Sequence, residues 1–272
     1  MSLRAPRSSA LLAGSMLLAA CARSPRAPEP LPPPVPLEPS EVSSLLDELR
    51  HQAESIRRYQ GLVRVRGKGP EGGFDARLAV LFERPHHLRV ELLGPFGGTR
   101  WSAVATEAEI SAYFPGRRHY LKEPDVPDVV ARLLGIRLGS EDMMAALSGV
   151  GAPLDSSSSA LGYRRGRFRF LELDAPSKPI LEVNDEGQVV SARSDRYRVS
   201  YPGSWKSRGR PFPDEVDIEN ESLRARLTAQ DVDVNVELDP GAFVLEIPAD
   251  AVRLRPAEVG GEAVFVIGRE PS

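Results

Sequence analysis

The chain has 272 residues, 41% of them hydrophobic and 27% charged, with a formal net charge of −3. This length suits one large domain with its own core, and the near-neutral balance excludes the basic face that nucleic acid requires. One cysteine excludes an internal disulfide.

At the N-terminus, Arg4 and Arg7 precede an apolar stretch from Ala10 to Ala20 that leads into Cys21. This is a signal-peptide layout, and the stretch is too short for a comfortable transmembrane helix. Leu18-Ala19-Ala20-Cys21 resembles the bacterial lipobox. The resemblance implies removal of residues 1–20 and acylation of the Cys21 thiol, anchoring the chain to a membrane at about 0.8 kcal/mol per buried methylene. The alternative is an ordinary signal peptide with a chance cysteine. Ala22 stands where Asp would retain such a lipoprotein in the inner membrane, so the resemblance implies the periplasmic face of the outer membrane. Residues 24–39 are half proline. They predict an extended spacer rising about 3.1 Å per residue, so that 21–39 form a tether below a body at 40–250 and a tail at 251–272.

Ser40 is the expected N-cap of a helix over 41–58, with Val42, Leu45, Leu46, Leu49, Ala53 and Ile56 at helical spacing. Alternation then predicts strands. Val63 and Val65 share one face, as do Phe74, Ala76, Leu78, Val80 and Phe82, and then Leu88, Val90 and Leu92, with further strands at 101–106 and 110–114. Residues 67–73, Pro85 and Gly94-Pro95-Phe96-Gly97-Gly98 supply turn chemistry. Val126, Val129, Val130, Leu133 and Leu134 return to helical spacing, and Ser140 is expected to cap a second helix with Met143, Met144 and Leu147. After a polar loop at 156–159, strands are predicted at 166–173, 179–184, 188–193, 196–201, 215–220, 223–229, 231–238 and 243–247. The expected fold is mainly β with α: an incomplete antiparallel β-barrel, a curved sheet of about 10–12 strands covered by helices.

The order of these elements resembles the LolA/LolB family of lipoprotein carriers and outer-membrane receptors. The resemblance is carried by Gly61-Leu62-Val63-Arg64-Val65, by Arg84-Pro85 ahead of the Gly94-Pro95-Phe96-Gly97 turn, and by Leu133 to Leu138 with Met143 to Gly149. Tyr197 to Tyr201 followed by Pro211-Phe212-Pro213-Asp214 completes it, over roughly 40–235. It implies a non-enzymatic lipoprotein that shelters acyl chains of other lipoproteins in an apolar cavity, receives them from a LolA-like periplasmic carrier and inserts them into the outer membrane. Residues past about 236 depart from the family pattern. The implied cavity-facing residues are Phe74, Leu78, Val80, Leu88, Val90, Ile110, Val129 and Leu133, which equally suit a filled core. Phe96 matches the exposed apolar residue important for membrane delivery. The alternative for Phe96 is a ring tucked onto its own sheet, and for the protein a tethered stress sensor or assembly module without lipid transfer.

Other motifs carry little. Gly67-Lys68-Gly69-Pro70-Glu71-Gly72 matches G-x-G-x-x-G but joins two strand-like runs, which predicts a hairpin and no dinucleotide. Asp231, Asp233 and Asn235 lack the glycine of a calcium loop. His86 and His87 face apart in extended chain, so no metal or other cofactor is expected. Neither Ser15 nor Ser204 lies in a nucleophile elbow, and Asp214, Glu215 and Glu219 show no groove for glycosidase chemistry.

Overall fold

The computed structural model describes residues 32–69, 72–124, 138–203, 205–207 and 211–255. Cys21, Val129 and Leu133 lie outside the described residues, as do the rest of the predicted signal segment and the helix expected around 126–134.

Helix α1 spans Pro39–Ser55 and buries Val42, Leu45, Leu46, Leu49 and Ala53 along one stripe. Removing such a side chain from water contributes roughly 1.5–3 kcal/mol. The helix begins before the expected cap at Ser40. Glu38 holds the cap position without a side-chain bond, and Pro39 supplies a preset φ in the first turn. It also ends three residues earlier than predicted. Asn235, in the left-handed region at φ 57°, accepts the Arg57 and Arg58 amides on Oδ1 at 2.9 and 3.2 Å, and its Nδ2 donates to the Ser55 carbonyl. That contact satisfies the helix end and delivers the chain straight into a strand.

The first half of the sheet follows as β2 (Arg58–Gly69), β3 (Gly72–Glu83), β4 (His87–Leu93), β5 (Thr99–Ala105), β6 (Glu109–Phe114) and β7 (His119–Pro124). The second half comprises β8 (Ala160–Arg165), β9 (Phe168–Leu173), β10 (Ile180–Val183), β11 (Val189–Arg193), β12 (Arg198–Ser200), β15 (Glu215–Glu219) and β16 (Arg224–Val234). The pairing of β2 with β16 joins the halves, and β13 (Trp205–Ser207) with β14 (Pro211–Pro213) forms a separate hairpin. With β1 (Val35–Pro36) and β17 (Val252–Arg253), the main sheet has 15 strands among the described residues, and its two end strands do not pair with each other. It is therefore a large curved, unclosed sheet, as expected, with more strands than expected. The additions are β1 and β17, each two residues long and too short for alternation to register, and the six-residue β7 and β8.

Both end strands are two residues long. β1 comes from the proline-rich approach to α1, and β17 from the extension beyond 236, pairing parallel to β7. Short, proline-bearing edges offer little backbone to a second sheet.

Two further predictions are corrected. The strands expected at 223–229 and 231–238 are one strand, β16, whose register shifts between Ala229 and Asp231. The bulge moves the buried set from Ala225 and Leu227 to Val232, and this change of phase looks like two strands in sequence. No strand forms at 243–247. Pro240–Phe243 is a 3₁₀ turn, and the Arg89 guanidinium donates to the carbonyls of Ala242 and Val244, holding this stretch against the sheet by side-chain bonds instead. The strand expected at 166–173 forms as β9, and the unexpected β8 pairs with it across a turn at Gly166 with φ +61°.

Helix α2 (Ser140–Leu147) is buried at every position except Glu141. Ser140 is its first residue and Gly139 takes the cap position. Asp142 reaches back to accept the Gly139 amide at 3.0 Å. Ala53 of α1 packs with Ala145 and Val150, so small side chains let the helices approach closely.

Candidate functional site

The turns joining β2 to β3, β4 to β5, β6 to β7 and β15 to β16 all fall at one end of the sheet. The register requires this: Gly69 faces Gly72, Arg77 faces Leu93, Phe114 faces His119 and Arg224 faces Lys68. Phe96 stands on this rim, in the β4–β5 turn, and is 98% exposed. The turn is held by its own backbone: the Gly94 amide donates to the Gly98 carbonyl at 2.7 Å, and the Gly97 amide to Gly94 at 3.0 Å. Gly97 has φ +88°, a conformation open to glycine at little cost. Pro95, Gly97 and Gly98 are exposed too, so the ring has no neighbouring side chain to cover it. Of the alternatives for Phe96, the ring tucked onto its own sheet is not the one this geometry contains.

The other predicted site residues lie along the inward face. Leu78, Val80, Leu88, Val90 and Ile110 are buried members of one continuous core that also takes in the α1 stripe, Met143, Met144 and Leu147. Phe74 is half-buried at the rim end of the same face, its ring over Gly67, where a Cβ would collide with it. The structure thus brings six of the eight expected cavity residues onto one surface, packed against neighbours.

Sequence reasoning missed an open groove of about 1030 Å³ between the first half of α1 and the β1–β8 edge. Its apolar wall includes Pro36, Leu37, Val42, Leu46 and Tyr163, with Leu161 75% exposed beside them. Neither β1 nor β8 had been expected as a strand, so nothing local signalled this concavity.

Two buried polar contacts hold the helices against the sheet. Arg84 donates to the carbonyls of Ile56 and Met144 at 3.2 Å each and to Ser148 Oγ at 2.9 Å, and burial lowers the pKa of its guanidinium. The Tyr197 hydroxyl donates to Asp142 Oδ1 at 2.8 Å, and Tyr201 donates to the Ala146 carbonyl at 3.1 Å. Burial, reinforced by the Asp142 carboxylate, raises the Tyr197 phenol well above its usual range. Each of these groups serves helix placement. His86 bonds Glu141 at 3.2 Å, whereas His87 stacks on Phe243, so the adjacent histidines do diverge.

No protein-family model and no curated protein matches the sequence. Among solved structures, a LolA superfamily protein of Nitrosomonas europaea matches with a TM-score of 0.52 and 12% identity, over 75% of this chain and 97% of the other. A DUF1329 family protein of Desulfovibrio piger matches with a TM-score of 0.45 and 9% identity, over 74% of this chain and 96% of that one. The first likeness establishes a LolA-like fold.

Proposed function

We propose that this chain is an envelope lipoprotein, tethered to the outer membrane through acylated Cys21, that takes up acyl chains of other lipoproteins and delivers them into that membrane at the Phe96 turn. One observation carries the reading: a large aromatic ring, 98% exposed, on a four-residue turn that gives it nothing to pack against. Such a side chain is stabilised when a membrane or partner covers it. The LolA-like fold supports the carrier role through an unclosed sheet whose inward face, covered here by the two helices, would open to admit a chain. Transfer needs such a shelter, since exposing one 16-carbon chain to water costs on the order of 12 kcal/mol. A LolA-like periplasmic carrier would supply the cargo.

Depleting the protein is expected to leave other lipoproteins out of the outer-membrane fraction, and complementation with Phe96→Glu to leave them there still. Normal fractionation after depletion would end the transport reading.

A second reading is favoured by the packing of Leu78, Val80, Leu88, Val90 and Ile110, which are 2–7% exposed. Side chains this tightly covered suit a tethered, non-catalytic binding module with a solid interior. Saturable displacement of a fluorescent fatty acid from the protein separates the two.

A further inference from the structure

Cations surround the Phe96 turn. Lys68 and Arg77, both exposed, stand at the tip end of β2 and β3, with Arg77 directly opposite Leu93 at the base of the turn. The Arg100 stem lies against Gly94: a Cβ there would meet its Cγ at 3.5 Å. One strand further on, the pairing of Ser102 with Tyr113 sets the 3₁₀ turn Pro115–Arg117 beside β5, and both Arg117 and Arg118 are exposed there. Described acids on this rim include Asp75, held by Arg64 and Arg66, Asp250, held by Arg118, Glu219, held by Arg224, and the exposed Glu221 of the β15–β16 turn, while Glu91 accepts from Thr99 at the base of the Phe96 turn.

The opposite end is mixed in charge, with Arg57, Arg58 and Arg84 lining a groove beside Glu54 and Glu83. Glu83, Glu237 and Asp239 share a groove there with Arg58, and Glu107 lies in the β5–β6 turn. A chain with a net charge of −3 would be repelled by an anionic bilayer as a point charge. Exposed cations close to an exposed aromatic ring still attract such a surface locally, within a screening length.

We propose that this rim docks onto a lipid surface bearing anionic headgroups, with Lys68 and Arg77 collecting headgroup phosphates while Phe96 enters the acyl region. The proposal rests on the reading of Phe96 as the inserting residue and adds the class of lipid it selects. An apolar residue beside basic ones is the arrangement that binds at an interface without spanning it. Attraction of the cations to the surface holds the ring at the depth where its burial is favourable.

The test uses the full acylated chain carrying Phe96→Trp, reconstituted in vesicles whose acyl chains are brominated, so that insertion quenches the new indole. The unsubstituted protein supplies the baseline for Trp101 and Trp205. Vesicles are either phosphatidylcholine alone or one third phosphatidylglycerol. The expected result is quenching that depends on phosphatidylglycerol and is lost in one-molar salt, where the screening length falls to about 3 Å. Adding Lys68→Glu and Arg77→Glu is expected to shift the inserted–free equilibrium by at least about tenfold toward the free state. Should the double variant unfold, the salt dependence still decides. Equal quenching in both kinds of vesicle would overturn the anionic docking and leave Phe96 insertion standing. Absence of quenching in both kinds of vesicle would overturn the docking and the insertion together.

Discussion

Replacing Tyr197 by Phe removes one oxygen atom from the contact that seats α2 on the sheet. Tyr197 and Asp142 are 3% and 6% exposed, and their hydrogen bond is 2.8 Å long. Without the hydroxyl, Asp142 keeps the Gly139 amide on Oδ2 but has a buried oxygen with no protein donor in its place. Losing a bond to a charged acceptor in such a setting costs about 1.5–3 kcal/mol. In a body of this size that corresponds to a fall in Tm of roughly 3–12 °C. Urea unfolding monitored by circular dichroism measures the cost, and a cycle with Asp142→Asn isolates the pair. A loss below about 0.5 kcal/mol would refute the reasoning, because water would then be reaching the carboxylate that the geometry encloses.

Raising the pH tests the same interior. Burial raises the phenol pKa of Tyr59, Tyr197 and Tyr201 above the ordinary value of about 10, so their contribution is whole below that pH and is lost as pH rises past it. Stability is expected to fall above pH 10 by up to about 4 kcal/mol per unit, and urea midpoints unchanged to pH 11 would contradict it. Gly149→Ala puts a Cβ on a residue at φ +80° and into the Trp205 ring, at a cost of about 2–4 kcal/mol in unfolding measurements with altered Trp205 fluorescence. The Arg64 guanidinium holds the Asp75 carboxyl near 2, aided by Arg66. Carbon-detected NMR titration is expected to find it there, and Arg64→Ala to return it toward the ordinary carboxylate range.

The candidate site was legible in sequence where its signal is local. The Gly94-Pro95-Phe96-Gly97-Gly98 run predicts a turn whose four small or rigid neighbours offer Phe96 no local cover, and the structure decided between an uncovered ring and one tucked onto its sheet. The inward set Leu78, Val80, Leu88, Val90 and Ile110 follows from a period of two, a property of each strand alone. Helix α1 was legible as a stripe, though its end was not, because Asn235 closes it from 180 positions away.

Sequence alone therefore determined most of the segments that extend, the two amphipathic helices now seen, the apolar face of each and a turn carrying an aromatic ring whose exposure stayed open. Tertiary structure decided which strands meet, how β1 and β17 blunt the two edges, where the β16 bulge shifts the buried face and that Lys68, Arg77, Arg100, Arg117 and Arg118 share a rim with Phe96. The division has one physical cause. Periodicity is written in neighbouring residues, whereas register, edges and charge placement arise from contacts between residues far apart in the chain, each favourable only when the rest of the sheet is in place.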